Sequence, residues 1–325
     1  MIDFVQLWVD GSDKDWLDEK NRYMVNSGNE SNRWRDWDCL QYWFRGVEKY
    51  APWVRKIHLI TPGHFPSWLN RHHKKLNCIN QNQLIKKEYI PVFNSNAIEL
   101  NLHKIESLAE KFVLFCDDMF IIKNTKEKDF FRNNLPCTEA ILGCIQPTDD
   151  FDYMTANNFR IINKHFRKFE VIRNNIFKWF NFNYGIRNFQ TLLLLPWAKF
   201  SSMHDSHLPL PHTKHNFEEV WQAEPDILEQ TSKSRFRNKE NVSHWLFRYW
   251  SIMKGEFCPQ GKLGKKFEIS DDKVNNGKIY DYIKKQRGKI ICVNDSICNI
   301  DFELRKKELK SAFEAILPDK SEFEI

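Results

Sequence analysis

Three apolar stretches of this chain each end on acidic side chains. Phe4-Val5-Gln6-Leu7-Trp8-Val9 runs into Asp10-Gly11, Phe112-Val113-Leu114-Phe115-Cys116 into Asp117-Asp118, and Lys289-Ile290-Ile291-Cys292-Val293 into Asn294-Asp295. Carboxylates gathered at one point suit a divalent cation and a phosphate ester, because hard cations take oxygen ligands and a phosphate needs its charge offset. Asp117-Asp118 is the strongest of these signals. Two acids at the lip of an apolar strand are costly without a cation, although acidic pairs also occur in solvated turns. Asp10-Gly11 is equally a turn dipeptide; its place after the first strand, with Asp13 nearby, suits recognition of a donor substrate.

A second group lies in Met203-His204-Asp205-Ser206-His207-Leu208-Pro209-Leu210-Pro211-His212-Thr213-Lys214-His215. The carboxylate or cysteine partners of a zinc site are not clear there, and the prolines make the segment extended. The other functional reading is a rigid loop presenting an imidazole as general base, since its ordinary pKa lies near neutrality. Solvent-exposed loop histidines are the structural alternative. Arg235-Phe236-Arg237 precedes a helix, and arginine suits phosphate because its planar fork donates two hydrogen bonds and stays charged. Arg33, Arg35, Asp36 and Asp38 form a mixed cluster that could bind a pyrophosphate or pair internally.

Buried strands position such groups. Short β-branched and aromatic runs with polar breaks read as strands of an α/β sheet, whose ligands sit beyond the carboxyl ends. If all three acid-tipped strands share one parallel sheet, their carboxylates converge. Leu40, Trp43, Phe44, Val47 and Tyr50 follow helical spacing until Ala51-Pro52, and a strand over 55–61 then completes a β-α-β beginning. Helical intervals over 97–112, with Asn94-Ser95 or Asn96 as caps, would place Glu99, His103 and Glu106 on one face. Residues 123–200 read as an inserted lobe within a single catalytic domain of 1–325. Helices are expected over 217–230, 240–253 and 302–317.

The 325 residues suffice for a substantial core, and 26 Phe with 12 Trp suggest aromatic surfaces that grip sugars or a membrane interface. The basic and aromatic stretch 163–184 reads as either a membrane or acceptor contact or core packing. A net charge of +6 favours anionic partners mildly and does not imply nucleic acid. No signal peptide or run of roughly 18 apolar residues is visible. The eight cysteines contain no C-x-x-C pair, so reduced thiols of a cytoplasmic protein are expected.

Taken together, these motifs resemble the Stealth family of sugar-1-phosphate transferases, which includes bacterial capsule polymerases and the catalytic subunit of the lysosomal-enzyme N-acetylglucosamine-1-phosphotransferase. Four ordered blocks carry the likeness. The first is Ile2 through Gly11. The second runs from Arg33-Trp34-Arg35-Asp36-Trp37-Asp38 through Tyr50-Ala51-Pro52-Trp53-Val54-Arg55-Lys56, Pro66-Ser67-Trp68-Leu69 and Phe93-Asn94-Ser95-Asn96-Ala97-Ile98-Glu99 to Phe115-Cys116-Asp117-Asp118-Met119. The third holds His207 through His212 with Phe236-Arg237, and the fourth is Cys292-Val293-Asn294-Asp295. Cys116 stands where the family usually has Asn, and Trp37 and Cys39 interrupt its Arg-Asp-Asn-Asp-Glu-Leu pattern.

The resemblance implies a Rossmann-like, GT-A-like fold, mostly parallel sheet flanked by helices. It implies Mg²⁺ (or Mn²⁺) on Glu99 and Asp118, and a UDP-sugar donor met by Trp8, Asp10, Gly11, Arg33, Arg35, Asp36, Asn94, Ser95, Asp117, Asn294 and Asp295. Asp10, His212 and Arg237 would be catalytic. The implied reaction transfers hexose-1-phosphate to a polysaccharide or lipid-linked glycan hydroxyl, releasing UMP, in capsular or cell-surface polysaccharide synthesis; peripheral contact at the inner face of the plasma membrane is the expectation from the 163–184 stretch rather than from the resemblance. Competing readings are a metal-dependent glycosyltransferase releasing UDP and a non-catalytic glycan-binding protein.

Overall fold

The structure, a computed structural model, describes residues 1–24, 35–295 and 300–325. Its centre is a strand whose both faces are apolar. β1 (Ile2–Leu7) pairs in parallel with β2 (Ile57–Thr61) on one side and β4 (Lys111–Phe115) on the other; β3 (Leu76–Asn80) lies parallel beyond β2. Strand Leu210–Thr213 closes the edge next to β4, antiparallel to it. The sheet is therefore mostly parallel, as the sequence implies.

Alternation along the strands builds two cores. Phe4, Leu59, Val113 and Phe115 face α2 (Leu40–Tyr50), which contributes Trp43, Phe44 and Val47. Val5, Ile60, Phe112 and Leu114 face the helices Lys214–Ala223 and Trp245–Lys254 through Phe217, Leu246 and Phe247. A parallel strand buried on both faces needs such coverage. α4 (Asp150–His165) packs Phe159, Ile161 and Ile162 into that second core, so the inserted residues share a core with the sheet.

Three expectations change. The acid-tipped strand Ile290–Asn294 is not in the central sheet: it pairs antiparallel with β5 (Met119–Ile121) and parallel with Gly264–Glu268. Its tip still reaches the same place, because the Val293 N–H donates to the Asp118 carbonyl at 2.8 Å. Nor is 97–112 one helix. α3 covers only Ser95–Glu99, followed by a 3-10 turn at Leu102–Lys104. The Asn101 side-chain amide donates to the Ala97 carbonyl at 2.7 Å, offering that carbonyl a local partner that competes with helix propagation. Pro225 likewise divides 217–230 between helices Lys214–Ala223 and Pro225–Lys233.

Candidate functional site

The strand order β3-β2-β1-β4 reverses direction between β1 and β4, and in open α/β sheets such a switch point opens a crevice at the carboxyl ends. With Gln6 opposite Phe115, the segments leaving β1 and β4 lie side by side there. Asp10 Oδ1 accepts from the Ser12 N–H (2.8 Å) and hydroxyl (2.6 Å), a turn held by its own side chain. The Asp10 N–H donates to His64 Nε2 at 2.8 Å. β4 passes through Cys116, Asp117 and Asp118 directly into β5.

Asp117 is reached by solvent yet surrounded by protein atoms, as at the mouth of a cleft. These low-dielectric surroundings, with the neighbouring charges of Asp118 and Asp36, push its carboxyl up. Burial would also raise Asp118, but hydrogen bonds from His207 and Cys292 hold it low. His207 Nε2 lies 3.3 Å, and Cys292 Sγ 3.0 Å, from its Oδ2. Among the described residues, Oδ1 of Asp118 is buried without a hydrogen-bond partner, as are Trp8 Nε1 and Asp295 Oδ1. Asp36 is raised by burial and by repulsion from Asp38 and Asp10. Asp295 receives Trp37 Nε1 at 3.2 Å and faces Arg35 at 3.7 Å. Thus Asp10, Asp36, Asp117 and Asp118 form a continuous field of negative charge, with Asp295 beside it through the strand that ends at Asn294.

A second cluster adjoins the first across Cys116, whose thiol is pushed well up by burial and by the charges of Asp118, Glu99 and Asp117. Glu99 is buried, which alone would raise it; His244, Arg237 and Ser95 keep it ionised. Its Oε2 is 2.7 Å from His244 Nδ1, and Arg237 Nη2 donates to Ser95 Oγ at 2.6 Å. Glu99 and Asp118 therefore have separate partners. Asn94, fully buried, caps α3 and donates to Ser234 O and Asn241 Oδ1, so it positions Ser95 from behind.

His212 is not brought to the acidic turn. Its backbone pairs with Phe112, four residues short of Cys116, and its ring is buried between Phe112 and Phe217. Burial holds its pKa well below 6.5, and Nε2 is enclosed without a partner among the described residues. The extended segment before that strand runs toward the carboxyl end of β4, so the imidazole arriving there belongs to His207, whose backbone adopts a left-handed φ of 48°. Arg33 lies outside the described residues.

The atoms fit a divalent cation: a buried carboxylate oxygen lacks a partner, and its acidic neighbours repel one another. Cys116, Asp118 and His207 bring one candidate ligand atom each within 4.8 Å. His207 was visible five residues upstream of His212, whereas His244 and Cys292 carried no chemical signal in the sequence.

The Stealth protein conserved region 1 model matches residues 2–28 and the conserved region 2 model residues 33–138. Capsular polysaccharide phosphotransferase WcwK of Streptococcus pneumoniae is 42% identical over 330 residues, covering 99% of this chain and 98% of that protein. The chain belongs to the Stealth family. Like its relatives it is a phosphotransferase by family. Exopolysaccharide phosphotransferase cps2G of Lactiplantibacillus plantarum is 41% identical (99% and 96% coverage), and receptor polysaccharide phosphotransferase WefC of Streptococcus gordonii 38% (100% and 99%). Among solved structures, galactosyltransferase LgtC with donor and acceptor sugar analogues aligns over 99% of this chain and 98% of that one, at 11% identity and a TM-score of 0.41. Both Stealth regions contribute to the cleft, the first through Trp8 and Asp10, the second through Arg35, Asp36, Glu99, Asp117 and Asp118. No helix among the described residues is long and apolar enough to cross a membrane.

Proposed function

We propose that this Stealth phosphotransferase moves hexose-1-phosphate from a UDP-sugar to a glycan hydroxyl during capsular or cell-surface polysaccharide synthesis. The acceptor is a polysaccharide or lipid-linked glycan. The observation that carries the reading is the unpartnered Asp118 carboxylate oxygen within a ring of mutually repelling acids, beside an imidazole and near a guanidinium.

Asp118 and Asp117 fit Mg²⁺ or Mn²⁺; Glu99 would exchange His244 to join them. Such a cation offsets pyrophosphate charge. The chain's own groups do the rest. Trp8, Asp10, Arg35, Asp36 and Asp295 line the donor's place. The acceptor oxygen bonds to the sugar-bearing phosphorus as the bridge to UMP breaks, in line, so positioning and charge stabilisation dominate. His207 takes the acceptor proton through Nδ1, with the ring oriented by the contact of its Nε2 with the Asp118 carboxylate. Arg237 stabilises the equatorial phosphoryl oxygens. His212, closed in among rings, supports the strand.

The test is incubation of the enzyme with a panel of UDP-sugars, Mg²⁺ or Mn²⁺ and glycan acceptors, read by phosphorus NMR. A phosphodiester with UMP is expected. Release of UDP would make the protein a glycosyltransferase, and turnover of no donor would leave a glycan-binding role.

A further inference from the structure

One helix of this molecule is inside out. In Arg187–Leu194, the polar residues turn toward the protein: Gln190 Nε2 donates to the Leu142 carbonyl at 2.8 Å, and Thr191, fully buried, accepts the Leu142 N–H at 3.2 Å. Most of the apolar residues turn to solvent, Leu194 at the helix end packing on the core. Ile186 is 85% exposed, Phe189 65% and Leu193 70%, at three- and four-residue spacing along one stripe. An amphipathic helix ordinarily buries that stripe.

The neighbourhood continues the pattern. Of the 16 exposed large apolar residues among the described residues, 9 fall between 169 and 197, including Phe177 at 84%, Phe182 and Trp197. They share one stretch of chain whose backbone is held by polar ties. The Asn188 amide donates to Asn181 O and the Asn181 amide to Phe177 O. Lys168 is buried under the helix end, donating to Leu194 O at 2.6 Å and Trp197 O at 2.8 Å. The stretch thus presents its apolar side chains on an ordered scaffold.

Charge identifies what covers it. Residues 164–199 contain seven Lys and Arg against one acid, Glu170. Their formal charge of +6 equals that of the whole chain. Arg160, Arg167, Arg173 and Lys199 are exposed on or beside the same stretch of chain. Exposed aromatic and aliphatic side chains rimmed by cations match an interface of headgroups over acyl chains carrying net negative charge. We propose that this surface docks the protein on an anionic phospholipid bilayer, with Ile186, Phe189 and Leu193 entering the interface and the rim arginines meeting headgroup phosphates. The acidic cleft lies on other elements, so docking and catalysis are separable.

The test is co-sedimentation of the full chain with phosphatidylcholine vesicles with and without phosphatidylglycerol, at low and high salt. Binding should require the anionic lipid and weaken with salt. The triple variant Ile186→Ser, Phe189→Ser, Leu193→Ser should bind at least about tenfold more weakly, and Arg167→Gln with Arg173→Gln should remove most salt dependence. Circular dichroism and the thermal midpoint of each variant report folding, and a milder Phe189→Ser single variant replaces any that misfolds. No binding to anionic vesicles at low salt, or undiminished binding by folded variants, overturns the proposal. A concentration-dependent dimer in sedimentation velocity, lost in the same variants, would reassign the patch to contact between copies of this chain.

Discussion

At the scale of single residues, two histidines five positions apart have opposite circumstances. His207 is partly exposed and touches a carboxylate; His212 is sealed among aromatic rings. Removing a general base costs about 10²- to 10⁴-fold in rate. His207→Ala should lose that much kcat with an unchanged thermal midpoint, whereas His212→Ala should lower the midpoint and retain more turnover. Paired kinetics and melting curves check this, and the reverse outcome would move the proton acceptor to His212. Asp118→Asn should abolish divalent-cation binding measured by calorimetry while the fold persists, because it weakens a buried carboxylate that has an open oxygen at the centre of the acidic cleft. Asp10, the Asp117-Asp118 pair and Asp295 were legible because they follow apolar strands, and Asp36 because it stands in a dense mixed cluster ahead of a helix. Glu99 and His244 stand 145 residues apart, and no local pattern announces a contact of that separation.

At the scale of elements, the strands were readable from local runs, but their pairing was not. Whether Ile290–Asn294 joins β1 or β5 depends on contacts between distant segments, and the periodicity of either strand is indifferent to the choice. The 97–112 pattern kept helical spacing although an Asn101 side chain intercepts the backbone, a competition that spacing does not reveal. Gly46, inside α2, carries the converse message: a glycine in a helical pattern marks close approach. A Cβ there would stand 2.5 Å from the Ile121 carbonyl oxygen, so α2 rests directly on β5 and holds the turn that presents Asp118. Gly46→Ala would gain about 1 kcal/mol in helix propensity. The clash with rigid backbone outweighs it at about 1–3 kcal/mol. Net destabilisation in urea melts is expected, with reduced cation affinity if the turn shifts.

For the whole molecule, the groups that stabilise it lie at the opposite end of the sheet from the cleft. Asp3, buried at the start of β1, receives Arg55 at 2.7 and 2.5 Å, His58 at 3.0 Å and the Ala109 N–H at 2.8 Å, joining β1, β2 and the entry to β4. Burial would raise its pKa, but hydrogen bonds from His58, Arg55 and Ala109 bring it below the usual value. A depressed carboxylate contributes stability above its unfolded pKa, and that contribution is lost as pH falls through the folded one. His212 is depressed too, but as a base: burial keeps it neutral when folded, while the unfolded chain protonates it below about 6.5. Its contribution is intact above that pH and declines below it, by about 1.4 kcal/mol per pH unit while only the unfolded form is protonated. His103, pushed down to about 4 by burial and by Lys104 and Lys214, acts in the same direction. Stability from denaturant titrations should therefore fall in two stages, from pH 6.5 through the histidines and below about 4 through Asp3. His212→Gln should flatten the upper stage. Asp3→Asn should remove the lower and cost about 3 kcal/mol at neutral pH, the low end for breaking a buried ion pair, since Arg55 keeps partial access to water. Because none of these groups touches the acidic cleft, phosphotransfer by the Asp3→Asn protein below its melting temperature should remain near normal; a large loss of kcat there would mean that the two ends of β1 are coupled.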